Sequence, residues 1–153
     1  VYAIGDLNCH QKHYRSWEIN GNQLAVCVRD IGILFGFVAC CLIWQQRGLN
    51  RWTLRDTFLS ILPDESIEKF YYKDQRLMLM IVIMGIGLVP MGIDGFTQLL
   101  TSYESTNTMR IITGVPAGFI GGWLFSAMFS ARPHEFDSSE DVRLPADAKL
   151  RMV

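Results

Sequence analysis

The stretch LMLMIVIMGIGLVPMGIDGFTQLL, from Leu77 to Leu100, decides the fold. A bilayer core of about 30 Å needs about 20 mostly apolar helical residues, and this stretch reaches Asp94 before it meets a charge. It is apolar on every face over most of its length, so it has no polar face to turn toward water. Two further stretches have the same character: LAVCVRDIGILFGFVACCLIW from Leu24 to Trp44 and IITGVPAGFIGGWLFSAMFS from Ile111 to Ser130. A soluble bundle of deeply buried helices is the alternative, and it fails because the second and third blocks offer water almost no polar surface. The fold class expected is therefore all-α: a polytopic helical membrane protein with three transmembrane helices at 24–44, 77–100 and 111–130. A segment 1–23 precedes them, a loop 45–76 joins the first two, and a polar tail 131–153 follows.

Working outward, the composition agrees. Of the 153 residues, 50% are hydrophobic, 19% are charged and the net charge is −1. So few like charges exclude a disordered chain, and the absence of a basic excess excludes nucleic acid as a partner. Four cysteines are too few for a disulfide-built scaffold. Val1 to Asn22 contains no apolar run of the secretory kind. A span upstream of Val1 would raise the count.

Lys and Arg in short loops set orientation. The loop and the tail hold Arg47, Arg51, Arg55, Lys69, Lys73, Arg76, Arg132, Arg143, Lys149 and Arg151. The opposite side holds Lys12, Arg15 and Arg110. This bias puts the loop and the C-terminal tail in the cytoplasm and the N-terminal segment outside. The loop mixes Trp52, Phe58, Phe70, Tyr71 and Tyr72 with basic residues. That suits either an interfacial helix in the headgroup layer or a docked loop covering the bundle. The acid- and proline-containing tail reads as extended and wrapped on a partner.

Charged groups inside spans are costly unless paired or wetted, which makes them functional candidates. Threading three spans brings Cys27, Arg29, Asp30, Asp94, Thr97, Gln98, Glu104, Asn107, Arg110 and Thr113 to one end, together with Cys9, His10, His13 and Arg15. Asp94 lies between Pro90 and Gly95, so a broken or kinked span is expected there. Two readings stand for this polar cluster: a functional pocket, with Asp94, Arg110 and Glu104 as the catalytic candidates, or structural ion pairing. In the second, Arg110 would pair with Glu104 or Asp94, and Arg29 would reach for headgroups.

Cys9, His10, Cys27 and Asp30 supply one imidazole, two thiols and a carboxylate, a set zinc accepts. Cys27 and Asp30 are three apart and share a helix face. A Cys9–Cys27 disulfide and two unrelated thiols are the other readings, so the cofactor stays open between zinc and none. Cys40 and Cys41, deep in the first block, act as small apolar residues. Gly114, Gly118 and Gly122 form a small-residue stripe on the third block, and Gly32 and Gly36 repeat it on the first, marking close helix packing. No phosphate loop, zinc-protease motif or nucleophile elbow is present.

The strings Cys9-His10-Gln11, Arg15-Ser16, Gly21 and Cys27-Val28-Arg29-Asp30-Ile31-Gly32-Ile33 carry a resemblance. So do Pro90-Met91-Gly92-Ile93-Asp94-Gly95-Phe96-Thr97-Gln98 and Glu104-Ser105-Thr106-Asn107, followed by Arg110 and Thr113-Gly114. Over about Asn8 to Gly122 the chain resembles a widespread family of small predicted membrane proteins of unknown function. In that family the first span usually opens Cys-x-Arg-Cys; here Asp30 takes the place of the second cysteine, which weakens a thiolate-rich site. The resemblance implies a helical membrane fold with a polar outer-face cluster and names no reaction.

The function expected is that of an accessory or structural subunit of a larger membrane complex, an energy-transducing one being one setting. Its partners would be membrane lipids and other membrane subunits. The alternative is a metal-binding protein or enzyme with its site at the outer face. A transporter is disfavoured, since three spans make no pathway alone and no inverted repeat is visible.

Overall fold

The computed structural model describes residues 15–138 and 140–150. A two-residue hairpin, β1 (Glu18–Ile19) on β2 (Asn22–Gln23), precedes five helices. These are α1 (Val28–Arg47), α2 (Leu54–Leu59), α3 (Asp64–Tyr72), α4 (Arg76–Leu100) and α5 (Asn107–Ser130). Helices α1, α4 and α5 are long and apolar enough to cross a membrane. At about 1.5 Å per residue they reach roughly 30 to 37 Å, a bilayer core or slightly more. The first span begins and ends a few residues later than its hydropathy predicted, and α5 begins at Asn107, ahead of Ile111.

Local chemistry sets the ends. Thr53 caps α2 by accepting from the Asp56 N–H, and Thr106 caps α5 by accepting from the Met109 N–H. Pro63 stands just before α3, whose first turn carries Asp64 and Glu65 against the positive end of the helix. Pro90 does not break the second span: α4 runs unbroken from Arg76 to Leu100. The helix ladder resumes beyond the one N–H that proline lacks, so the expected break near Asp94 does not occur.

Helix α5 is the central element, packed most heavily on α1 and more lightly on α4. The α1–α5 contact is made by backbone. A methyl group added at Gly118 would fall on the Ile33 carbonyl oxygen, and one at Gly36 on the Val115 carbonyl oxygen. At Gly114 and Gly122 it would lie 2.8 Å from the carbonyl oxygens of Arg29 and Phe37. The two helices therefore meet at a distance only glycine permits, which favours carbonyl contacts with Cα–H groups across the seam.

The main hydrophobic core lies at the end where α1 finishes and α4 begins. There the loop 45–76 folds into a cap on the bundle. Phe58 and Leu59 of α2 are fully buried, and Ile67 and Tyr71 of α3 nearly so. The Phe58 ring stacks on Trp123 at 4.7 Å, and the Trp123 indole donates to the Phe58 carbonyl oxygen at 2.7 Å. The tail covers this cap. Val142 and Leu144 are buried in the same cluster. Asn50 donates to the Arg132 carbonyl oxygen at 3.0 Å and to Glu135 at 2.9 Å, fastening the start of the tail. An apolar loop and a polar tail each hide poorly alone; stacked, they bury one another's apolar side chains.

Candidate functional site

At the opposite end, the first turns of α1 and α5 and the last turns of α4 bring their polar side chains together. Asp94, 7% exposed, accepts from Arg29 of α1 in an ion pair. It also accepts from the Gln98 amide at 2.9 Å, one turn along α4. Arg110 of α5 donates to Gln98 Oε1 at 3.5 Å. One chain of contacts thus joins all three spans: Arg29, Asp94, Gln98, Arg110. Arg15, ahead of the hairpin, pairs with Glu104 of the α4–α5 turn at 3.1 Å. Cys27 stands just before α1, its Sγ 3.1 Å from Asp30 Oδ2.

The partners differ from those the spacing suggested. Arg29 holds Asp94 rather than reaching for headgroups. Arg110 holds neither Glu104 nor Asp94. Asn107 lies in the first turn of α5 with its Oδ1 buried and, among the described residues, without a hydrogen-bond partner. Cys27 and Asp30 come together; Cys9 and His10, the other two members of the expected ligand set, lie outside the described residues, as does His13. Among the described residues no group of three His, Cys, Asp or Glu is placed to hold a metal ion. Cys40 is fully buried, and Cys41 Sγ lies 3.7 Å from Ser126 Oγ. Gly32, Gly36, Gly114, Gly118 and Gly122 line the α1–α5 seam.

A second charged network, under the cap, has no counterpart in the sequence reading. Asp56 is fully buried and accepts from Arg76 at 3.3 Å and from the Thr53 hydroxyl at 2.7 Å. Arg55 lies 3.6 Å from the same carboxylate. Arg76 also faces Asp74 at 3.5 Å, donates to the Lys149 carbonyl oxygen at 3.1 Å and covers the Tyr71 ring at 4.7 Å. Arg51 pairs with Asp64 at 2.7 Å. Burial, aided by the nearby Asp56 charge, pushes the Tyr71 phenol well above its usual range. The one available signal was Thr53-x-x-Asp56, a helix-start spacing. Beside this network a cavity of about 320 Å³ is lined by Tyr71, Tyr72, Asp74, Arg76, Ala146, Ala148 and Lys149.

Residues 9–124 match the family model described as "Predicted membrane protein (DUF2085)". An uncharacterized protein of Methanocaldococcus jannaschii is 35% identical over 119 residues, which cover 78% of this chain and 62% of that protein. The chain thus spans less than two thirds of that relative's length. An uncharacterized protein of Methanothermobacter thermautotrophicus is 32% identical over 110 residues, covering 72% of this chain and 77% of that protein. No solved structure matches the chain.

Proposed function

This chain belongs to the DUF2085 family of predicted membrane proteins, and on that premise we propose that it is an accessory subunit of a larger membrane complex, held there through α4. The observation that carries this reading is the poor use α4 makes of its own surface. Of its 25 residues only Arg76, Gly87 and Asp94 are buried. Gly85, Gly92 and Gly95 have open space where a Cβ would stand. These three positions, seven and then three apart, share one helix face. Elsewhere in the same chain glycine stripes mark where a second helix backbone arrives. Lipid gains nothing from glycine, whereas a neighbouring span gains close approach. The occupant inferred is a transmembrane helix of another subunit. The Lys and Arg bias of the cap and tail supports a cytoplasmic position for that end.

Gentle extraction from native membranes, followed by native electrophoresis and mass spectrometry, tests the reading. The chain should migrate with co-purifying subunits. Gly92→Leu should release it while leaving its own unfolding midpoint unchanged, since among the described residues a Cβ there would meet no atom of a neighbouring element within 4 Å. A native protein that runs alone as a monomer, or a Gly92→Leu variant that stays in the complex, overturns it.

The Cys27–Asp30 contact supports a second reading, a zinc site at the outer face completed by Cys9 and His10. Stoichiometric zinc in the purified protein, lost in Cys27→Ala, would establish it; zinc-free protein would remove it.

A further inference from the structure

We propose that Arg110 forms the floor of a binding site for a phosphate group at the N-terminal end of the bundle. The proposal is independent of the subunit reading. Arg110 is 2% exposed, yet it forms no ion pair among the described residues. Among the described residues its one side-chain hydrogen bond is the long contact to Gln98, and its Nε has no partner. Burying a charge without a counter-charge is strongly unfavourable.

The surroundings deepen the deficit. Arg15 and Arg29 both stand near enough for their positive charge to bear on Arg110, and the negative charge of Glu104, which also reaches it, offsets them only in part. Among the described carboxylates at this end, Asp94 pairs with Arg29 and Gln98, Glu104 pairs with Arg15, and Asp30 lies beside the Cys27 thiol. Arg29 Nε is likewise buried without a partner. Among the described residues, the group that would balance Arg110 is a compact anion with several acceptor oxygens.

Phosphate meets that description. Its oxygens match the fork of a guanidinium, and more than one fork can engage it at once. Arg110 lies in the first turn of α5, where the helix dipole favours the same sign of charge. Arg15, partly exposed, lies on the side open to solvent and headgroups. The phosphate could be the diester of a lipid headgroup or a free inorganic ion, because both present the same oxygens at the membrane surface.

The full chain, purified in a non-ionic, phosphate-free detergent, separates these sources. Its thermal midpoint is followed by tryptophan fluorescence during titration with inorganic phosphate, against chloride at matched ionic strength. A parallel titration adds phosphatidylglycerol to the micelles. The midpoint should rise in at least one titration. A response to inorganic phosphate identifies a soluble ligand, and a response to phosphatidylglycerol alone identifies a headgroup. Arg110→Gln should fold without added anion and should lose the response. Arg110→Lys, which keeps the charge but not the fork, should bind roughly tenfold more weakly and serves if the glutamine variant does not fold. Overturning results are a parent midpoint unmoved by either probe, or variants that respond like the parent.

Discussion

The two ends of the bundle use the same pair of residue types to different effect. At the cap, Arg76 meets Asp56 with side chains 3% and 0% exposed. At the other end Arg29 meets Asp94, but the arginine side chain is 22% exposed. The cap pair is sealed by α2, the tail and the Tyr71 ring, and neighbours meet both partners again: Asp74 on Arg76, Thr53 and Arg55 on Asp56. The rim pair lies beside Arg110, a buried cation with no carboxylate of its own among the described residues. Charge that is fully matched holds a structure together. Charge left over at an accessible rim is where a ligand gains most.

The strongest way to break this contrast is Asp56→Ala. It leaves Arg76 buried, and Arg55 half-buried, without their shared carboxylate, a loss of about 3–5 kcal/mol. The cap should loosen, and Trp123 fluorescence should report early unfolding as its Phe58 contact goes. An unchanged midpoint would mean that the cap network is decorative. Next in size is the seam that links the ends. Gly118→Leu forces a side chain onto the Ile33 carbonyl, at or beyond the upper end of the roughly 1–3 kcal/mol typical of overpacking. Size-exclusion profiles should show aggregated or polydisperse protein. If the variant elutes and melts like the parent, α1 and α5 are not in backbone contact.

These differences explain what could be read in advance. The spans were legible because hydrocarbon demands long apolar runs and no other local force mimics them. The α1–α5 seam was legible because Gly32/Gly36 and Gly114/Gly118/Gly122 repeat at the helical spacing of four. That the polar residues share one end follows from threading alone. Their pairing does not: Arg29 and Asp94 are 65 positions apart, and their meeting depends on helix rotation that no periodicity specifies. The cap was hidden for another reason. Helix α2 has six residues, too few to show a period, and its burial is decided by Trp123 and Val142, far along the chain. The break expected at Pro90 failed because one missing N–H costs a ladder bond without ending the helix.

A milder loss is expected at the rim. Asp94→Ala removes the acceptor of Arg29 and Gln98, yet the partly exposed arginine can turn to water or headgroups. The cost should be about 1–3 kcal/mol, less than at Asp56. Equal losses at the two aspartates would erase the contrast between sealed and open ends. The same variant sharpens the phosphate proposal, since it frees Arg29 to join Arg110; phosphate should then raise the midpoint more than in the parent.

The smallest effect, and the most selective for the cap, is pH dependence through Tyr71. Its phenol is held neutral by burial and by the adjacent Asp56 carboxylate, so its pKa when folded lies above that when unfolded. An unfolded tyrosine ionises near pH 10. Below that value the full contribution of the neutral phenol to stability is present. Above it the unfolded chain releases a proton that the folded chain keeps, so stability falls as pH rises. Tyr71→Phe should leave the midpoint at pH 7 almost unchanged and flatten the decline between about pH 10 and 11. Asp56→Asn should flatten it in part, because one of the two causes is then gone while burial remains. A decline of the same slope in parent and Tyr71→Phe would assign the alkaline loss to other groups and unseat Tyr71 from the sealed end.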